Sequence, residues 1–328
     1  MRRREVITLI ASAATTWPLA ARAQQDGRPR RIGILTRGIE TEHVVQAQLR
    51  ALREGLVKLG WSEGRNLQFD VRLSDDDPDL LRAHAEELVR LAPDVIVSGS
   101  LPATRLVLQR TRTIPVVFWS VGDPVVGGLL QNIARPEGNV TGITSTFQSI
   151  PGKWLELLKE AAPRTTRVVL VFVPGIVVEN YFISIRSAAD VLGVKVIQAP
   201  YRSATELQRA LNAFAAEPNG ALVLVPPPPR GSNRDLINRL ALRHRLPTIT
   251  ANRHDAGDGV MMSYGADAVE PTRIAATYID RILRGARISE LPVQFPTKIE
   301  LVINLKTAKA IGLEIPATLI ARADEVIQ

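Results

Sequence analysis

Val95-Ile96-Val97-Ser98-Gly99-Ser100 decides the fold. Three consecutive β-branched residues make a strand that is apolar on both faces. Gly99 then breaks it, and Ser100 stands where a helix can begin. A strand without a polar face belongs in a parallel sheet covered by helices on both sides. The same unit recurs on either side of it. Upstream lie Ile32-Gly33-Ile34-Leu35, then helical spacing at Val45, Leu49, Leu52, Leu56 and Leu59, stopped by Gly60. Leu67 to Val71 follows, then a helix opening at Asp77-Pro78, an N-cap with proline in the first turn. Downstream, Pro115-Val116-Val117-Phe118-Trp119 reads as a fourth strand.

Between Gly122 and Gly142 the rhythm stops. Asp123-Pro124, Gly127-Gly128, Arg135-Pro136-Glu137-Gly138 and Asn139 are turn chemistry, and the segment reads as a crossing between two lobes. The rhythm resumes with a helix over Lys153–Ala161 and strands at Val168–Val173, Val194–Ala199, Ala221–Val225 and Pro247–Thr250, spaced about 27 residues apart. Gly259 to Gly265 reads as a return crossing, after which a helix over Glu270–Leu283 packs back on the first lobe. The expected fold class is α/β: two Rossmann-like lobes with parallel sheets joined by hinge crossings. A single large doubly wound sheet is the alternative. The boundaries expected are a signal at 1–23, a first lobe over 29–143 plus about 266–292, and a second over 144–265 plus about 293–328.

The N-terminus has the composition of a secretory signal. Arg2, Arg3 and Arg4 precede an apolar stretch from Val6 to Leu19, and Ala21-Arg22-Ala23 offers a small-x-small cleavage site. The apolar stretch falls short of the roughly 20 residues that span a bilayer. Arg3-Arg4-Glu5-Val6-Ile7 also fits a twin-arginine signal, and the choice between the two export routes stays open. The chain has no cysteine, which excludes disulfides, thiolate metal sites, a cysteine nucleophile and a lipidated cysteine. A free periplasmic protein is expected. Removing Arg2, Arg3, Arg4 and Arg22 against Glu5 takes the formal charge from +8 to about +5. The remaining arginines are scattered, so no nucleic-acid face is expected.

Catalytic signatures are missing. The 328 residues contain no G-x-S-x-G elbow and no H-E-x-x-H. His43, His84, His244 and His254 are isolated, as surface or helix-end histidines are. Gly33 to Gly38 lacks both the phosphate-loop lysine and the dinucleotide spacing. Asp75-Asp76-Asp77 reads as a helix N-terminus. No cofactor and no metal are expected.

What remains is the polar chemistry at strand ends, where open α/β sheets bind ligands. Thr36 and Arg37 follow the first strand, Asn252 follows the last, and Tyr264 lies in the return crossing. In Ser98-Gly99-Ser100, glycine admits close approach and the helix start can receive a carboxylate. A plain N-cap explains the same residues. Asp123 can face a ligand ammonium or set its own Asp-Pro turn. Trp119 can stack on a ring or fill the core.

With those segments in view, the chain resembles the substrate-binding proteins of ABC transporters often described as tryptophan/tyrosine transport components. The residues that carry the likeness are Met1 to Glu5 with Trp17 to Gln24, and Ile114 to Phe118 leading to Gly122-Asp123-Pro124. Arg135 to Gly142, Met262-Ser263-Tyr264-Gly265 and the tail Pro296 to Ala310 complete it. The resemblance implies the type I periplasmic-binding-protein fold, closing on a small-molecule ligand that is handed to a membrane permease driven by a separate ATPase. It implies no enzyme activity and fits a monomer. The chain departs from the family pattern at Val173 to Val178 and at Pro226 to Arg230. Two rival readings remain: an exported two-lobed enzyme, and a sensory module that signals to a membrane receptor by the same closure.

Overall fold

The computed structural model describes residues 28–74, 77–145, 150–174, 179–226 and 231–328. The expected signal lies outside them, as do Asp75, Asp76 and most of the two departures from the family pattern, at 175–178 and 227–230.

The first sheet holds β1 (Arg30–Thr36), β2 (Leu67–Leu73), β3 (Val95–Ser98), β4 (Val116–Val121) and β5 (Val140–Thr144). Its strands are parallel, in the order β2-β1-β3-β4-β5. Between them run α1 (His43–Lys58), α2 (Pro78–Arg90) and α3 (Leu101–Arg110). All four residues of β3 are buried, so both faces of the sheet need cover. Leu52 and Leu56 of α1 cover one face, while Leu88 of α2 and Val107 of α3 cover the other. At the start of α2, Asp77 accepts from the Asp79 and Leu80 N–H groups at 2.8 and 3.1 Å, the expected cap.

The second sheet begins after α4 (Ile150–Ala161). It contains β6 (Arg167–Phe172), β7 (Lys195–Pro200), β8 (Gly220–Leu224), β9 (Thr248–Thr250) and β10 (Met262–Ala266). Helices α5 (Glu179–Leu192), α6 (Ala204–Ala215), α7 (Gly231–Arg243) and the short α8 (Arg253–Gly257) alternate with these strands. After β10 the chain forms α9 (Glu270–Leu283), a short turn of 3₁₀ helix at Ile288–Glu290 and β11 (Ile299–Asn304). It finishes with α10 (Leu305–Ala310), α11 (Ala317–Ile320) and β12 (Glu325–Ile327). The strand order is β12-β11-β10-β9-β8-β6-β7. Counted from its own first strand, β6, each sheet therefore repeats the order 2-1-3-4-5.

Three passages join the sheets: after β5, between β10 and α9, and between Gln294 and β11. Helix α9 leaves the second sheet and packs across α1, so tightly that a Cβ on Gly55 would stand 2.8 Å from the Ala276 methyl. The chain then runs beside β5, where the Thr144 N–H donates to the Gln294 carbonyl at 2.9 Å.

Three sequence expectations are corrected. The turn-rich stretch after β4 is not a crossing between lobes. It returns to the first sheet as β5, and the crossing follows β5. Gly142, which bounded that stretch, sits inside this strand, where a Cβ would meet the Phe118 carbonyl at 2.1 Å. Close strand approach, not a turn, requires glycine there. Gly259 to Gly265 is likewise not a bare crossing, because its second half is β10. Nor is the second sheet wholly parallel, since β10 and β11 pair antiparallel.

Candidate functional site

The carboxyl ends of both sheets open on one cleft of about 2400 Å³. Thr36, Gly99 and Ser120 line it from the first sheet, and Val173, Tyr201, Pro226 and Ala251 from the second. In a sheet of order 2-1-3-4-5, the crevice opens between the first and third strands, where the chain reverses its direction of winding. Thr36 ends β1 and Gly99 follows β3, so the two flank the first sheet's crevice. Val173 and Pro226 hold the equivalent places after β6 and β8.

The first wall is closely fitted. A Cβ on Gly99 would lie 2.1 Å from Thr36 Oγ1 and 2.9 Å from Trp119 Nε1, so only glycine fits. Ser100 caps α3, accepting from the Ala103 N–H at 3.3 Å. The β4–β5 register shifts between Phe118 and Val121, and Trp119 and Ser120 within that stretch both line the cleft. Trp119 is 1% exposed, and its Nε1 has no hydrogen-bond partner among the described residues. The Ser74 hydroxyl, after β2, is a second such group in the wall.

The second wall is aromatic and charged. Burial pushes the phenols of Tyr181 and Tyr201 up to about 12, so both stay protonated near neutrality. Tyr181 stacks on Trp154, with ring centroids 6.0 Å apart. Two arginines of this wall are held by carboxylates. Arg253 meets Glu300 at 2.9 Å and Glu325 at 2.5 Å, and Arg234 meets Asp258 at 2.6 Å. The buried Asp255 accepts from Thr250 Oγ1 at 3.0 Å. Burial, then the charge of Arg253, holds His254 below the ordinary imidazole range, so it is neutral near pH 7. Among the described residues, no group of His, Asp and Glu is placed to hold a metal.

Of the residues singled out in the sequence, the cleft brings together Thr36, Arg37, Gly99, Ser100, Trp119, Asp123 and Asn252. Two are placed elsewhere. Ser98 shares the face of β3 that packs on α3, and its hydroxyl pairs with Thr104 Oγ1 at 2.7 Å. Strand alternation turned it from the cleft. Tyr264 lies within β10 rather than at its end, and packs against the second sheet's core. Asp123 accepts from the Val125 and Val126 N–H groups at 2.9 and 3.1 Å, which makes it the organiser of its own turn. Asn252 caps α8 through the His254 N–H. The sequence reading missed Tyr181, Tyr201 and Asp255. Tyr201 directly follows β7, so the strand-end rule would have found it; Tyr181 and Asp255 sit in helices and carry no such signal.

The sequence model of the family described as ABC transporter substrate binding protein matches residues 39–327, nearly the whole two-sheet unit. The chain belongs to that family. It is a binding protein and not an enzyme, and its fold is the two-lobed type I periplasmic-binding-protein fold. A tyrosine-binding protein of Clostridioides difficile (strain R20291) is 24% identical over 282 residues, covering 83% of this chain and 79% of that one. A conserved domain protein of Vibrio cholerae superposes on this substrate-binding protein with a TM-score of 0.81 at 26% identity, over 91% of this chain and all of that one. An ABC domain from Streptococcus pneumonia, solved with L-Trp, superposes with a TM-score of 0.83 at 20% identity, again over 91% of this chain and all of that one.

Proposed function

We propose that this substrate-binding protein is the periplasmic capture component of an ABC importer, and that it takes an aromatic amino acid. The observation that carries this reading is the cleft itself. Both of its sides are built from strand ends, with a glycine-floored helix start on one side and Tyr181 and Tyr201 on the other. The ligand carboxylate meets Thr36 and the first turn of α3, where the Leu101 N–H and the helix dipole favour an anion. Tyr181 and Tyr201 supply aromatic surface and neutral hydroxyls for the side chain. The ligands in the names of the Clostridioides and Streptococcus proteins support the aromatic class. At about 2400 Å³ the cleft exceeds the roughly 300–1,000 Å³ of small-ligand pockets, which supports an open form that closes on its solute. The protein acts as a monomer, leaves the cytoplasm through the signal at 1–23, and delivers its cargo to a permease with a separate ATPase.

The test is thermal melting of residues 24–328 against the twenty amino acids. L-tyrosine or L-tryptophan at a hundred times its Kd adds about 2.7 kcal/mol, a rise of several degrees. A melting point that no amino acid moves overturns the reading.

A further inference from the structure

Trp61, Trp119 and Trp154 are the tryptophans of the described residues, and two have conventional partners. Trp61 Nε1 donates to Asp280 at 2.8 Å, and Trp154 Nε1 donates to the Tyr264 carbonyl at 2.7 Å. Trp119 is as deeply buried as Trp154, yet its N–H meets no acceptor. Indole nitrogen is a donor only, and it cannot rotate independently of its ring as a hydroxyl can. A buried donor left without an acceptor destabilises the fold, so such groups are rare and call for an explanation. The location supplies one. The indole nitrogen lies against Gly99, a Cβ on which would be 2.9 Å away, and both residues line the cleft.

The same corner holds further donors. The first-turn N–H groups of α3 have no partners within the helix. Pro102 has no N–H and the Ala103 N–H is taken by Ser100 Oγ, which leaves the Leu101 N–H. Thr36 Oγ1 crowds the same Cβ position of Gly99, 2.1 Å from it. An indole N–H, a backbone N–H and a hydroxyl thus gather around one glycine, and each can donate to an oxyanion.

We propose that the Trp119 indole N–H donates a hydrogen bond to the carboxylate of the bound solute, which makes Trp119 a specificity-determining residue rather than a stacking surface or plain core. This rests on the amino-acid reading above. The ring holds the donor rigidly. A ligand with an amide in place of the carboxylate offers this corner no negative charge and binds less well.

The test uses L-tyrosine, L-tryptophan and their carboxamides. Calorimetry on Trp119→Phe, which keeps a ring but removes the N–H, is expected to show about tenfold or greater loss of affinity for the acid and a clearly smaller loss for the carboxamide, whose neutral carbonyl oxygen accepts without charge. Since residue 119 is in the core, a second measurement is made on the unaltered protein labelled with nitrogen-15. The Trp119 indole proton should move downfield and exchange more slowly when the amino acid is added, while those of Trp61 and Trp154 hold their hydrogen bonds. An unmoved Trp119 signal, or equal losses for acid and carboxamide, overturns the inference and leaves the amino-acid reading standing. Failure of the unaltered protein to bind either amino acid overturns that reading, and the inference with it.

Discussion

Gly99 concentrates the argument at the scale of single residues. Its hydrogen atom faces Thr36 Oγ1 and Trp119 Nε1, so replacement by alanine has to push a strand end or the tryptophan aside. Overpacking of this kind costs about 1–3 kcal/mol. Gly99→Ala is expected to lower the melting temperature by several degrees and to weaken L-tyrosine or L-tryptophan binding at least tenfold. Melting and calorimetry check this, and normal values in both would remove Gly99 from the site. The position of this glycine was readable in the sequence. The turning of its neighbour Ser98 toward Thr104 was not, because a single residue's parity follows from the register of the whole strand.

Among the elements, the short helix α8 depends most on others. It has five residues, too few to hold helical shape alone, and it carries His254 and Asp255 at the cleft. Arg253 ties it to β11 through Glu300 and to β12 through Glu325. The Glu300 side chain is only 7% exposed, so losing Arg253 leaves a buried carboxylate with Lys298 alone of its two cations. Arg253→Met is expected to cost about 1–3 kcal/mol and to speed hydrogen exchange in α8 before the rest of the second sheet. Uniform exchange across that sheet would show that the clamp does not govern the helix. Element legibility followed local signal strength. Strand β3 opens on three β-branched residues and β6 is an unbroken apolar run after Arg167, and both were read from the chain. Strand β5 was missed because it is five residues long, follows directly on turn residues, and contains Gly142, which serves close strand approach.

In the whole molecule, a five-stranded and a seven-stranded sheet that share the order of their first five strands are joined by three passages, and the slot between them is wider than one small solute needs. A ligand that touches both walls has more contacts in a closed form and draws the population toward it. Small-angle scattering is expected to show a smaller radius of gyration when L-tyrosine or L-tryptophan saturates the protein. A profile unchanged at saturation would exclude closure.

By itself, the sequence determined the class of fold, the alternation of its units and the chemistry at the ends of β1, β3 and β4. Those follow from local patterns of branched, helical and turn-forming residues. Only the tertiary structure decided that the chain returns to the first sheet as β5, that Tyr181 and Tyr201 share a cleft with Gly99, and that Trp119 alone among the described tryptophans keeps an unmet N–H. Each of these depends on which strand ends and side chains meet across large separations in sequence. Such meetings are set by strand order and register, and no local pattern encodes them.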